Sequence, residues 1–286
     1  MVETMEHRIS DVPATALVTL YCHALESRSK DPVLVDPKAV EIAADLDRTL
    51  SLSKNRLDRM LASGRIDRNL VIHIALRARH YDEYAREFLA RHPGGVIVNI
   101  GCGLDSRFLR IDNGSVIFYD LDLPEMIDLK KRFFQETERY HFIASSVLDL
   151  RWMGRLSGLE GPFLFMAEGV FMYLEADSVR SLVLQIRETF PGSGLICEVV
   201  NSFWLKMPQK ALLDWKIHAR GHLGKKALFR SGFRDSQEME AWHPGIRLIG
   251  EWSYFDSNEE KLGWLRVFRH IGWIRKTQWT VHYLLR

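Results

Sequence analysis

The chain has 286 residues, of which 47% are hydrophobic and 27% are charged, a composition typical of a globular protein. This length fits one domain with an elaborated end better than two full domains, and it allows a large core. The formal net charge of +2 gives no reason to expect steering toward nucleic acid or a membrane. We therefore expect no nucleic-acid or membrane partner, with the oligomeric state left open.

The three cysteines, Cys22, Cys102 and Cys197, follow no spacing that predicts a disulfide framework or a metal site. The first ten residues, MVETMEHRIS, lack the apolar core of a signal peptide. No apolar run is long enough to span a bilayer. These features predict a reduced, cytoplasmic protein without a bound metal.

Residues 1–92 are predicted to form an N-terminal helical extension that packs on the core. One helix face carries side chains at helical spacing: Ile66, Leu70, Ile74, Arg77, Tyr81, Tyr84 and Phe88. Arg77 interrupts this apolar face, and a guanidinium that faces a core needs a partner such as a bidentate carboxylate. An internal acid such as Asp82 or Glu83, or snorkelling to solvent, is the alternative.

Residues 93–286 alternate short apolar runs with helical stretches. Strands are predicted at 96–100, 116–119, 141–145, 163–167 and 195–200. Helices are predicted over 124–135 and 177–190. This alternation indicates an α/β fold with a mostly parallel sheet that helices cover on both faces.

The C-terminal part is predicted to differ, with a strand over 246–255, a helix over 258–270 and a long strand over 273–285. The last strand would join the sheet antiparallel to the others. An aromatic-rich segment at about 201–245 is predicted to be a helical lid inserted before these elements.

Two turns point to a nucleotide-like ligand. Gly101 and Gly103 follow the first strand, where glycine lets a ligand approach the backbone. Asp120 and Asp122 end the second strand, where an acid can accept hydrogen bonds from ribose hydroxyls. A dinucleotide fingerprint would place a third glycine where this chain has Ser106, so a nucleoside ligand without phosphate fits better.

Two further acids, Asp105 and Glu168, follow the ends of predicted strands. Asp105 and Arg107 come after the glycine turn, and a surface ion pair at a helix start is the structural alternative for them. Glu168 ends an apolar strand and precedes a glycine, so it is predicted to face the ligand crevice. A buried acid at that place favours a cationic partner.

Three segments, VIVNIGCGLDSRFLRI, YDLDLP and FMAEGVFMYL, together resemble the leucine carboxyl methyltransferase family, whose bacterial branch includes polyketide carboxyl O-methyltransferases of the tetracenomycin type. They match, in order, its glycine turn with Asp-x-Arg, its acid-x-Asp-x-Pro turn and its Ala-Glu segment ending in Tyr-Leu. The resemblance covers about residues 66–200. It implies a Rossmann-like class I methyltransferase fold and S-adenosyl-L-methionine as cofactor.

The resemblance also implies a set of cofactor-binding residues: Arg77, Gly101, Gly103, Asp120, Asp122, Ser146, Val147 and Glu168. Asp122 would accept the ribose hydroxyls, Glu168 would meet the cofactor's ammonium and Arg77 its carboxylate. The family has Asp-Leu after its third strand, where this chain has Ser146 and Val147. A hydroxyl would therefore replace a carboxylate beside the adenine.

The resemblance favours an O-methyltransferase that acts on the carboxylate of a small molecule. A carboxylate is ionised at neutral pH and needs no general base, so no catalytic residue is assigned. Tyr173 and Trp204 are predicted to contact the substrate, because an aromatic wall suits a flat or apolar molecule.

Three alternatives remain open from the sequence. A hydroxyl-directed O-methyltransferase would share the cofactor site. A nicotinamide-dependent oxidoreductase is disfavoured by Ser106 and by the absence of a Tyr-x-x-x-Lys motif at Tyr173. A catalytically inactive nucleoside-binding module is favoured only by Ser146.

Overall fold

The computed structural model of the protein describes residues 14–205 and 229–286. A seven-stranded sheet forms its centre. The strands are β1 Val96–Ile100, β2 Ile117–Asp122, β3 Tyr140–Ala144, β4 Phe163–Ala167, β5 Ser193–Val200, β6 Ile246–Trp252 and β7 Gln278–Leu285. All five strands predicted within residues 93–200 are present, with ends shifted by at most a few residues.

The sheet has the order β3-β2-β1-β4-β5-β7-β6, in which β1 to β5 are parallel and β7 is antiparallel to both of its neighbours. The order in which strands are added to the sheet reverses at β1, since β2 pairs with one edge of β1 and β4 with the other. This switch point is where open α/β sheets bind ligands, beyond the carboxyl ends of the strands. The predicted Rossmann-like fold with a late antiparallel strand is confirmed.

The helices are α1 Ala14–Ser27, α2 Pro37–Leu50, α3 Arg56–Ala62, α4 Arg68–Arg91, α5 Arg107–Ile111, α6 Pro124–Lys130, α7 Ala176–Thr189 and α8 Gly272–Arg275. Capping side chains fix several of their starts. Asp36 accepts a hydrogen bond from the Ala39 amide ahead of Pro37, and Asp67 caps α4 in the same way.

Two apolar cores lie on opposite faces of the sheet. Helices α1 to α6 pack on one face, against alternate residues such as Ile97 and Phe118. Helix α7 and the 3₁₀ segment Leu150–Leu156 pack on the other, against Val98 and Tyr119. The division of the chain into an extension (1–92) and a methyltransferase domain (93–286) stays a prediction.

The C-terminal elements correct three expectations. The strand predicted over 273–285 begins only at Gln278, and α8 precedes it, because its partner β5 ends at Val200 opposite Gln278. The strand predicted over 246–255 ends at Trp252. The helix predicted over 258–270 is a 3₁₀ segment, Glu260–His270, broken at Gly263 with φ 53°.

The structure shortens one more predicted helix and describes only part of the predicted lid. The helix expected over 124–135 ends at Lys130, whose side chain turns into the core. The described part of the predicted lid contains 3₁₀ turns at Ser202–Leu205 and Glu238–Trp242 and a bridge from Asn201 to Phe233. The rest of that lid, 206–228, lies outside the described residues. Among the helices that are described, none is long and apolar enough to cross a membrane.

Candidate functional site

The glycine turn follows β1 at the switch point of the sheet. Gly101 and Gly103 have positive φ angles of 65° and 50°, a region that only glycine enters at little cost. The amides of Gly101 and Cys102 donate to the Leu121 carbonyl at 2.7 and 3.2 Å, which ties the turn to the end of β2. The turn is therefore held at both strands.

Two side chains cover the glycine turn closely. A Cβ atom on Gly101 would clash with Cγ2 of Val170, and one on Gly103 would lie 3.4 Å from Cβ of Ala16 in α1. The turn therefore lies between the N-terminal helices and the segment that follows β4.

Gly101→Ala is expected to destabilise the protein through both backbone strain, about 1–3 kcal/mol, and the clash with Val170. Gly114→Ala is the matched control, because Gly114 also has a positive φ of 82° but no atom within 4 Å of a new Cβ. Urea unfolding of both variants separates the two effects. Equal losses of stability would show that Val170 does not restrict the turn.

The acidic turn ends β2 beside the glycine turn. Asp122 accepts hydrogen bonds from the amides of Gly103 at 2.7 Å and Leu123 at 2.8 Å, one on each carboxylate oxygen. Burial is the main cause that raises its pKa. Each oxygen keeps a second lone pair, so Asp122 can still accept hydrogen bonds from a ligand in the crevice.

Asp120 lies in the core rather than in the crevice and is 1% exposed. Its two oxygens accept hydrogen bonds from Asn99 at 2.9 Å and Tyr140 at 2.5 Å, and Lys130 lies 2.8 Å away. Because the Asp120 carboxylate is enclosed by these three protein groups and by the core, the structure does not bring Asp120 together with the other predicted cofactor contacts. Asp120 instead anchors the end of β2.

Arg77 reaches from α4 to the carboxyl ends of β4 and β5. Its Nε donates to Glu168 at 2.7 Å, and its Nη1 donates to Glu198 at 2.7 Å. The partners of Arg77 are therefore internal acids, Glu168 and Glu198, in place of Asp82 or Glu83. Glu198 was missed altogether, although one acid inside the apolar run LICEVV was a visible signal.

A buried ionic cluster surrounds Arg77 and its two acidic partners. Arg107 contacts Asp82, Asp105 and Glu168 at 2.9, 2.7 and 2.5 Å and is 1% exposed. The surface ion pair considered for Asp105 and Arg107 is therefore wrong. The cluster as a whole joins Arg77, Arg107 and Arg110 to Asp36, Asp82, Asp105, Glu168 and Glu198. Carboxylates outnumber guanidinium groups in it.

The position of Ser106 explains the missing third glycine. Its hydroxyl donates to Asp36 at 2.5 Å and accepts from Arg110 at 2.8 Å. A glycine here would leave both partners without this hydroxyl. Ser106 therefore belongs to the ionic cluster.

The turn after β3 carries the predicted adenine contacts. The Ser145 amide donates to the Asp122 carbonyl at 2.9 Å, so this turn lies beside the acidic turn. Ser146 and Val147 are half-buried. The Ser146 hydroxyl accepts a long hydrogen bond from the Leu148 amide at 3.3 Å, so it can also bind a ligand.

The predicted substrate contacts, Tyr173 and Trp204, lie at the edge of the described structure. Tyr173 is half-buried in a 3₁₀ turn after β4, and its ring centroid is 5.6 Å from that of Phe229. Burial and the charge of Glu198 raise its pKa to about 12. Trp204 packs edge-on against Phe203 at 5.5 Å. Residues 206–228 of the predicted aromatic-rich segment lie outside the described residues.

This sheet order, with a glycine turn beside an acidic turn at the switch point, is that of the class I methyltransferases that use S-adenosyl-L-methionine. A model of the leucine carboxyl methyltransferase family matches residues 16–187 of the chain. The chain therefore belongs to the leucine carboxyl methyltransferase family, and S-adenosyl-L-methionine is its cofactor.

Individual relatives agree with this assignment. The tetracenomycin polyketide synthesis O-methyltransferase TcmP of Streptomyces glaucescens is 33% identical over 252 residues, which cover 87% of this chain and 86% of that protein. An S-adenosyl-L-methionine-dependent methyltransferase of Gibberella zeae is 30% identical over 194 residues, 65% of this chain and 63% of that protein. These matches favour a methyltransferase over the nicotinamide-dependent oxidoreductase.

A crystal structure of a DUF574 family protein from Streptomyces avermitilis has the same fold. It matches with a TM-score of 0.54 and 15% sequence identity, covering 85% of this chain and 97% of that one.

Proposed function

We propose that this methyltransferase transfers a methyl group to a carboxylate oxygen of a small molecule. The observation that carries the proposal is that His73 and Tyr173, which lie near Arg77, are poor bases there. Burial and the Arg77 charge lower the pKa of His73 to about 3, and the pKa of Tyr173 is raised to about 12. Neither would serve as a general base at neutral pH, whereas a carboxylate acceptor needs none.

The residues of the switch point fit the cofactor. Gly101 and Gly103 have no side chains of their own to keep a nucleoside from the backbone of the glycine turn. Asp122 has lone pairs for both ribose hydroxyls, and Ser146 can accept from the adenine amino group. The excess of carboxylates in the ionic cluster suits a ligand that carries an ammonium and a sulfonium.

Arg77 and Glu168 would hold the methionine end of the cofactor. Nη2 of Arg77 has no hydrogen-bond partner in the described part of the chain, so it can donate to the cofactor's carboxylate. Gly169, with φ 68°, keeps this side open, since a Cβ there would lie 3.7 Å from Nη2. Glu168 lies 2.7 Å from Arg77 Nε, and the pKa of its carboxyl is lowered by Arg77 and Arg107, which keeps it ionised to meet an ammonium.

The bound cofactor supplies a methyl group that is already activated on a sulfonium. The protein must then hold the acceptor oxygen in line with this methyl group and keep water away. Val170 over the glycine turn and Tyr173 after β4 are placed to close the crevice on one side. The chain belongs to the leucine carboxyl methyltransferase family, and its relative TcmP is an O-methyltransferase. Both findings support an oxygen atom as the acceptor.

Asp122→Asn is expected to weaken the binding of S-adenosylhomocysteine by about ten- to a hundred-fold, because charge-assisted hydrogen bonds to the ribose are lost. The side-chain amide keeps one acceptor oxygen for the Gly103 amide but loses the hydrogen bond from the Leu123 amide, so thermal unfolding of the variant is measured alongside to check that the turn persists. Asp128→Asn, at an exposed position of α6, is the control. Titration calorimetry measures both affinities, and equal affinities would remove Asp122 from the site.

The acceptor class can be tested with a donor whose methyl group is labelled and a panel of aromatic carboxylic acids and phenols. Methyl esters release labelled methanol in mild alkali, whereas methyl ethers do not. Alkali-labile product supports the proposal. Alkali-stable product would show a hydroxyl acceptor, and bound cofactor without any transfer would show an inactive binding module.

A further inference from the structure

His73 occupies a position that the proposed cofactor contacts do not use, one helical turn before Arg77 on α4. Phe88 lies against Gly95 just before β1, whereas Arg77 meets Glu168 just after β4. Helix α4 therefore runs antiparallel to the parallel strands. Four helical residues rise about 6 Å, so His73 lies that far beyond Arg77, over the crevice at the carboxyl ends of the strands.

A second element at the same edge of the sheet fixes the imidazole. The ring of His73 stacks on Tyr254 with centroids 4.1 Å apart and planes at 28°. Tyr254 follows the end of β6, which is parallel to β1 to β5, so it also lies at their carboxyl edge. His73 is half-buried, and the described residues give its ring nitrogens no hydrogen-bond partner. A polar group without a protein hydrogen-bond partner among the described residues is thus held against an aromatic ring at this edge of the sheet.

The groups around His73 keep it uncharged. Burial and the Arg77 guanidinium lower its pKa, and Glu168 opposes this shift only weakly. A neutral imidazole has one N–H donor and one acceptor nitrogen. It can therefore hydrogen-bond to an anionic ligand without itself releasing or taking up a proton.

We propose that His73 binds the methyl acceptor by donating its ring N–H to the acceptor's carboxylate, with the Tyr254 ring fixing the imidazole plane. This inference rests on the proposed function. In the transfer, a lone pair of the carboxylate oxygen forms the new O–CH₃ bond, and the S–CH₃ bond breaks with its electron pair remaining on sulfur. No proton moves in this step. The acceptor carboxylate therefore needs a hydrogen-bond donor that holds it in line with the methyl group, and it needs no base.

The test uses the full chain saturated with S-adenosylhomocysteine and 2-naphthoate as the probe, followed by titration calorimetry. His73→Phe keeps a ring on Tyr254 but removes the N–H, and is expected to weaken 2-naphthoate binding about ten-fold. His73→Gln restores a side-chain N–H and is expected to bind the probe within about three-fold of the unsubstituted protein. The neutral analogue 2-methylnaphthalene, which has no acceptor oxygen, should bind equally to all three proteins.

His80→Phe is the matched control, because His80 stacks on Trp252 at 4.1 Å two turns further along the same helix face. It should leave the probe affinity unchanged. Unchanged 2-naphthoate affinity in His73→Phe, or no saturable binding of the probe to the unsubstituted protein, would overturn the inference. Loss of S-adenosylhomocysteine binding in His73→Phe would instead place His73 in the cofactor site. Failure of the proposed function can be distinguished from failure of this inference, because it appears in the labelled-methyl experiment as a product that is not an ester.

Discussion

Arg77→Met is expected to lower the free energy of unfolding by about 3–5 kcal/mol and to abolish measurable binding of S-adenosylhomocysteine. Removing the guanidinium leaves Glu168 and Glu198 as close buried carboxylates without their shared counter-ion, and breaking a buried pair costs this much. The midpoint of thermal unfolding should fall by on the order of 10 °C. Scanning calorimetry with and without the ligand measures both effects.

A double variant separates the two roles of Arg77. Adding Glu198→Gln to Arg77→Met removes the charge of the carboxylate that depends most on Arg77, since Glu168 keeps its contact with Arg107 at 2.5 Å. We expect this variant to regain much of the lost stability while still failing to bind the ligand. Recovery of binding in the double variant would show that Arg77 acts only by neutralising Glu198.

The parts of the site that the sequence predicted depend on short-range patterns. Gly101, Gly103 and Asp122 follow strand ends, and parallel strands bring such ends to one edge of the sheet. The five parallel strands were predictable for a similar reason, because each is a short apolar run that is buried on both faces. Neither inference required knowing which distant residues meet.

The parts that the sequence did not predict depend on distant contacts. Glu198 is 121 residues from its partner Arg77, and Asp36 is 70 residues from Ser106. Asp120 shows the same limit, because only the packing of Lys130 and Tyr140 decides that its carboxylate turns inward. Spacing places an acid at the end of a strand, but the opposing elements decide whether it faces the crevice or the core.

Stability is expected to fall as the pH is lowered from 7.5 to 5, because two histidines stay neutral in the folded protein. Burial lowers the pKa of His73 to about 3 and of His282 to about 4, so both are neutral in the folded protein. The unfolded chain binds their protons near pH 6.5, and each group then costs about 2 kcal/mol by pH 5. Urea unfolding at several pH values measures the slope.

Asp36, a carboxylate of the ionic cluster, changes stability in a different pH window. Arg110 and His23 help to lower the pKa of Asp36 to about 2, so its contribution is present above about pH 4 and is lost only at lower pH. Asp36 therefore does not contribute to the slope between pH 6.5 and 5, where His73 and His282 do. His282→Phe, which keeps an aromatic ring beside Tyr84, should remove about 2 kcal/mol of that loss, whereas a slope unchanged in this variant would show that His282 is already accessible to protons in the folded state.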